Sequence, residues 1–216
     1  MNNNYLLLFA SFSILNIAGI MMEWESIRLF SKPLLIPTLI LFYWNKNQNA
    51  DWGILIALAF CFLGDVLLLN TSTLFFLLGL GSFLVAQIIF TLKMGERIIR
   101  IRKDLLIAGL PFVLYAAGLF VLLFPKLGIL APAVLVYAFA ICCFGILSLT
   151  YWLQNPTKGQ LILGGALLFI ISDSMLALNQ FYYPSEFFDL GVMLTYLVAQ
   201  LFITLFFKRE SLLSSN

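Results

Sequence analysis

The sequence predicts an all-α polytopic membrane protein with eight transmembrane helices, and three observations carry that reading. Hydrophobic residues make up 62% of the 216-residue chain, charged residues 10%, and the mean hydropathy is +1.04. That leaves too little polar surface to cover a water-soluble core of this size. Apolar runs of about 20 residues, enough to cross a hydrocarbon core about 30 Å thick, recur between short polar breaks. Threading eight such runs also gathers the basic residues on one side, which orients the chain.

Taken in order, Met1 to Met22 opens on three asparagines without a basic stretch and continues apolar, so an uncleaved first span is expected, not a signal peptide. A polar connection is expected over Glu23 to Lys32. Pro33 to Trp44 forms a short second span, with Pro33 and Pro37 softening its first turns. Lys46 to Asp51 is a polar loop, Trp52 to Asn70 a third span, Thr71 to Thr73 a turn and Leu74 to Lys93 a fourth span. Glu96 to Asp104 is the most charged stretch, with Arg97, Arg100, Arg102 and Lys103, and reads as a solvated cytoplasmic loop. The remaining spans are Leu105 to Phe124, Gly128 to Trp152, Gly159 to Gln180 and Asp189 to Phe207. With both termini on one face, nine basic residues lie there (Lys46, five from Lys93 to Lys103, Lys158, Lys208, Arg209) and three opposite (Arg28, Lys32, Lys126). That asymmetry makes both termini cytoplasmic in an inner or plasma type of membrane.

The composition also removes whole classes of function. Net charge is only +2 and no basic block with interleaved aromatics lies outside the spans, so no nucleic-acid partner is expected. Cys61, Cys142 and Cys143 lie in apolar runs without CxxC spacing, so they read as packing residues. The absence of histidine removes zinc-hydrolase motifs and Ser-His-Asp triads, leaving carboxylates, hydroxyls, amides and lysine. No metal and no cofactor are expected.

Against that background two carboxylates stand out. Asp173 lies in FIISDSMLAL, Phe169 to Leu178, and Asp65 in FCFLGDVLLL, Phe60 to Leu69. A carboxylate inside a membrane helix is costly and marks function more often than not. Each helix starts on the cytoplasmic face, so both acids lie about 20 Å up, in the outer half of the membrane. Asp173 shares a helical face with Ala166 and Ala177, small residues that permit close helix approach. Asp65 shares its face with Leu58 and Cys61, so its inward direction rests mainly on the cost of exposing it to lipid.

The two acids are 108 residues apart, half the chain, and a second match pairs LVAQIIFT, Leu84 to Thr91, with LVAQLFIT, Leu197 to Thr204. A single eight-helix domain, residues 1–216, is therefore expected to be a parallel duplication of a four-helix unit, with halves of roughly 1–104 and 105–216. Gln87 with Thr91 and Gln200 with Thr204 take matching i, i+4 faces.

Lys32-Pro33-Leu34-Leu35, Phe62-Leu63-Gly64-Asp65-Val66-Leu67-Leu68, Leu78-Gly79-Leu80-Gly81-Ser82-Phe83 and Ile171-Ser172-Asp173-Ser174 resemble, in order and spacing, the blocks of the YhhN-like lysoplasmalogenase family. The resemblance covers essentially all eight spans. It implies hydrolysis of the vinyl ether bond of a lysophospholipid, releasing a fatty aldehyde and glycerophosphoethanolamine or glycerophosphocholine, with Asp65 and Asp173 as the catalytic pair.

That chemistry suits two carboxyls. Protonation of the alkene carbon gives an oxocarbenium ion, water attacks it, and the hemiacetal collapses. Two carboxyl groups close together in a low-dielectric pocket do not both ionise, so one donates a proton while the other stabilises the cation and orients water. The expectation is a separation within about 6 Å or one bridging water. Ser172, Ser174 and Asn179 are candidates for holding that water or contacting substrate, and Tyr196 for lining the lipid site. Gln87 and Gln200 read first as an interhelical amide hydrogen bond and second as substrate contacts. Lys32, at the outer end of its helix, either snorkels to the interface or binds a lipid phosphate at the mouth of an apolar slot. Tyr182, Tyr183, Phe187 and Phe188 read as an interfacial aromatic belt. The competing class is a small proton-coupled transporter or channel using the same acids, which aldehyde release separates from the hydrolase.

Overall fold

A computed structural model describes residues 4–70, 72–98, 107 and 109–213. Arg100, Arg102, Lys103 and Asp104 of the expected charged loop lie outside the described residues. The described part is all-α: α1 (Asn4–Met21), α2 (Glu25–Trp44), α3 (Trp52–Leu67), α4 (Thr73–Gly95), α5 (Leu110–Leu127), a 3₁₀ turn (Gly128–Leu130), α6 (Ala131–Gln154), α7 (Gln160–Phe181) and α8 (Glu186–Leu213). Six stretches are long and apolar enough to cross a membrane, two fewer than the eight expected: α1, α2, α4, α7, α8 and the 45-residue stretch Leu110–Gln154. The chain is a multi-pass membrane protein, and its exposed faces carry large apolar side chains such as Leu7, Ile14, Val121 and Phe139.

The shortfall has two local causes. α3 ends at Leu67 after 16 residues, about 24 Å of helix, short of the hydrocarbon thickness. The long stretch Leu110–Gln154 turns back on itself. Cys142 Sγ donates to the Phe112 carbonyl at 3.5 Å, and a Cβ on Gly145 would lie 2.7 Å from the Phe112 ring. In one straight helix positions 112 and 145 would be about 50 Å apart. The reversal occurs at Gly128, whose φ of +51° a residue with a side chain adopts only at a cost, so α5 and α6 form a hairpin.

The described residues fall into two compact units, one within Met1–Ala86 and Phe207–Asn216, the other within Gln87–Phe206. In the first, α1 and α2 pack closely because Gly19 presents no side chain: a Cβ there would meet the Arg28 backbone nitrogen at 3.2 Å. Asn16 Nδ2 donates to Ser31 Oγ at 2.9 Å across this contact. α2 begins at Glu25, eight residues before the expected start at Pro33, and both prolines lie inside it. The reason lies at the end of α1. Glu23 adopts φ +55°, its N–H bonds the Ile20 carbonyl, and the Trp24 N–H bonds the Gly19 carbonyl at 2.8 Å. That is a helix-terminating Schellman turn, and Trp24 immediately accepts from Ile27 and Arg28 to open α2. No polar loop is left over Glu25 to Lys32. Within a membrane bundle, neighbouring helices and serine side chains compensate for the backbone bonds that proline removes.

α3 starts where the sequence places it, because Asp51 Oδ1 accepts the Gly53 N–H at 2.8 Å as an N-cap. The end of α8 is fixed within the first unit by buried Lys208. Its Nζ donates to the Phe42 carbonyl and, at 3.0 Å, to the Asn45 carbonyl, groups the C-terminus of α2 leaves without helical partners. In the second unit, α6 and α7 run antiparallel, with Gly159 against Trp152 at the turn and Gly145 against Ile170 further along. Gly165 brings α7 onto α8, where a Cβ would meet the Ala199 carbonyl at 3.2 Å.

Candidate functional site

Asp65 belongs to the first unit and is 3% exposed. It lies 13 residues into α3 and two from its end. Its position is set by Gly64, which faces the Phe83 ring of α4: a Cβ on Gly64 would fall 2.7 Å from that ring. Gly79 makes the reciprocal accommodation, since a Cβ there would lie 2.9 Å from the Leu68 side chain. The glycine-rich block of α4 therefore lets this helix close over the end of α3 beside the acid. The sequence supported burial of Asp65 weakly, yet Asp65 is the more deeply buried of the two acids.

Asp173 belongs to the second unit, also 13 residues into its helix, and is half-buried. Tyr137 of α6, 7% exposed, donates its hydroxyl to Asp173 Oδ2 in a short hydrogen bond. The flanking serines send their protons elsewhere: Ser172 Oγ to the Val192 carbonyl at 3.1 Å, Ser174 Oγ to the Ile170 carbonyl at 2.7 Å. The first of these bonds ties α7 to α8 one residue before the acid. Two residues after it, Met175 fills the space over Gly191. Asp173 is thus held between α6 and α8 by a phenol on one side and packing on the other.

The other candidate residues divide by role. Asn179 donates to Asp189 Oδ1 at 2.8 Å and accepts the Ser185 N–H at 2.7 Å, so both ends of its amide pin the connection between α7 and α8. Lys126 closes the same connection, donating to the Tyr182 carbonyl at 3.2 Å with its ammonium 4.6 Å from the Tyr182 ring centre. Tyr196 is buried with its ring edge-on to Phe169, centroids 5.8 Å apart. Lys32 is half-buried on α2 in the first unit. Gln87 and Gln200 are each 0% exposed, and among the described residues neither amide has a hydrogen-bond partner. The amide bond expected between helices is therefore absent. Thr91 and Thr204 differ in the same way from their expected equivalence, since Thr91 Oγ1 donates to the Gln87 carbonyl at 2.7 Å while the Thr204 hydroxyl has no partner among the described residues.

Tyr137 is the residue that sequence reasoning missed. It sits 36 positions from Asp173 in an apolar run, and nothing in the spacing pairs them. The available signal was a lone phenol inside a span: a buried tyrosine hydroxyl needs a partner, and few polar groups are present to supply one.

The YhhN family matches residues 27–207, most of the chain. The human protein lysoplasmalogenase TMEM86A (Homo sapiens) is 32% identical over 157 residues, covering 70% of this chain and 63% of its own length. The chain thus spans somewhat under two thirds of that relative. No solved structure matches it. On the extent of the family match, which includes both aspartates, the chain belongs to the YhhN family.

Proposed function

We propose that the chain is a lysoplasmalogenase, hydrolysing the vinyl ether bond of 1-alkenyl lysophospholipids with Asp65 and Asp173 as a carboxyl pair. The observation that carries this reading is the presence of one aspartate at the same depth in each of two apolar helices, in a chain of the YhhN family similar to a protein named as a lysoplasmalogenase. Intramembrane carboxylates are expensive, and acid-catalysed vinyl ether hydrolysis uses two. One carboxyl protonates the alkene carbon and the other stabilises the oxocarbenium ion and directs water to it. The products are a fatty aldehyde and a glycerophosphoethanolamine or glycerophosphocholine. The scheme needs no metal or cofactor.

The finer parts of the reading belong to the same proposal. All eight helices cross, with α3 reaching the interface through its flanking turn. Both termini are cytoplasmic, and the halves are a parallel duplication. Lysolipid enters from the outer leaflet, Lys32 binds its phosphate, and Gln87, Gln200, Tyr196, Ser172, Ser174 and Asn179 shape the site or its surroundings. Purified protein in lipid nanodiscs, given 1-alkenyl and 1-acyl lysophosphatidylethanolamine in parallel, tests the reaction. Aldehyde from the first without fatty acid from the second is expected, and fatty acid without aldehyde would overturn the assignment. Lys32→Met should weaken lysolipid binding in the same nanodiscs, and undiminished binding would remove the phosphate-anchor role while leaving the aspartates in place.

A further inference from the structure

We infer that Tyr137 is a positioning residue for Asp173 and thereby divides the labour of the carboxyl pair, making Asp173 the water-activating base and Asp65 the proton donor. This rests on the proposed hydrolase reading. Tyr137 is nearly fully buried on α6 and gives its hydroxyl proton to Asp173 Oδ2, whereas Ser172 and Ser174 give theirs to backbone carbonyls. A carboxyl that accepts a phenol proton at one oxygen is oriented, and its other oxygen, Oδ1, is turned to other tasks. A hydrogen bond of this kind favours the acceptor form of the carboxyl over the donor form. The fixed phenol also spares Asp173 the rotational freedom that would otherwise be lost when water is aligned.

The proton inventory closes with these roles. Asp65 gives its proton to the alkene carbon, forming a C–H bond as the π bond breaks and positive charge spreads over the adjoining carbon and ether oxygen. Water attacks that carbon and loses a proton to Asp173. Asp173 then returns the proton to the glycerol oxygen as its bond to carbon breaks, while Asp65 takes the hemiacetal hydroxyl proton as the aldehyde forms. Each carboxyl ends as it began, and one water has been added across the ether.

The experiment is a double-mutant cycle in nanodiscs with Tyr137→Phe, Asp173→Asn and their combination, reading aldehyde release and thermal midpoint. Tyr137→Phe should lower kcat by about 10-fold or more, the scale of one charge-assisted hydrogen bond, with KM and midpoint near those of the parent. In the Asp173→Asn background the same substitution should cost nothing further, because the two groups act as one unit. A purely structural tyrosine would lower the midpoint, or lower kcat by the same factor in both backgrounds. Should Tyr137→Phe fail to fold, 3-fluorotyrosine at position 137 keeps the ring and strengthens the donor, and kcat should change while the midpoint stays. Unchanged kcat in Tyr137→Phe or the fluorotyrosine protein, with aldehyde still released by the parent, overturns the role of Tyr137 alone. A parent that releases no aldehyde overturns the hydrolase reading and this inference with it.

Discussion

Replacing Lys208 with methionine should destabilise the protein by about 2–4 kcal/mol, although the residue lies near the end of the last helix. Lys208 is 6% exposed, and its ammonium donates to the carbonyls of Phe42 and Asn45 while lying 4.1 Å from the Phe42 ring centre. A second tie runs beside it, with Asn47 Nδ2 donating to Ser211 Oγ at 2.8 Å and Ser211 Oγ donating to the Lys208 carbonyl at 2.9 Å. Hydrogen bonds from a charged donor contribute about 1.5–3 kcal/mol each, and a cation over an aromatic face about 0.5–2 kcal/mol. The cost of desolvating the ammonium offsets part of that sum. Methionine keeps the length and most of the volume but leaves both carbonyls at the α2 terminus without their donor. For a domain of this size the loss corresponds to a midpoint roughly 4–16 °C lower. Thermal unfolding in detergent, followed by near-ultraviolet circular dichroism, measures it, and Lys208→Arg should recover part of the loss. A midpoint within about 2 °C of the parent for Lys208→Met would refute the reasoning.

Gly64→Ala should cost about 1–3 kcal/mol by forcing the Phe83 ring from its seat, and should reduce turnover more than its stability loss explains, because the displaced ring backs the helix that carries Asp65. Thermal midpoints and aldehyde release on one preparation check this, and a fully active variant would show that the fit is unimportant. Gln200→Leu should raise the midpoint, since a buried polar group without a partner costs about 1–3 kcal/mol, while turnover falls if the amide contacts substrate. A lowered midpoint would show that the amide is satisfied after all.

Much of the helical order was legible because membrane helices advertise themselves by apolar length, and the Asp51 cap placed the start of α3 to the residue. The start of α2 was not legible. Pro33 reads as a helix boundary in water, whereas here a tight turn at Glu23 and Trp24 commits the chain to helix eight residues earlier, and the Asn16 to Ser31 bond supports it. The two aspartates were legible from their cost alone, but their burial was ranked wrongly: the small residues near Asp173 predicted close packing, while Asp65 owes its burial to Gly64 and Phe83, a contact between helices that helical periodicity does not encode. Tyr137 escaped for the same reason. The glutamines were expected to bond each other because matching motifs suggested matching faces, yet both are buried without partners among the described residues.

The central claim is that both aspartates carry the chemistry, and one comparison tests it most directly: aldehyde release by the parent, Asp65→Asn, Asp173→Asn and the double variant, with fatty-acid release from the acyl analogue measured alongside. Asparagine nearly preserves volume and removes the titrating group, so folding and lysolipid binding should persist while turnover falls by roughly 10²-fold or more in each single variant, the usual contribution of general acid–base catalysis. The double variant should be little worse than either, since groups that act as one unit are not additive. Full activity in either single variant would contradict the account.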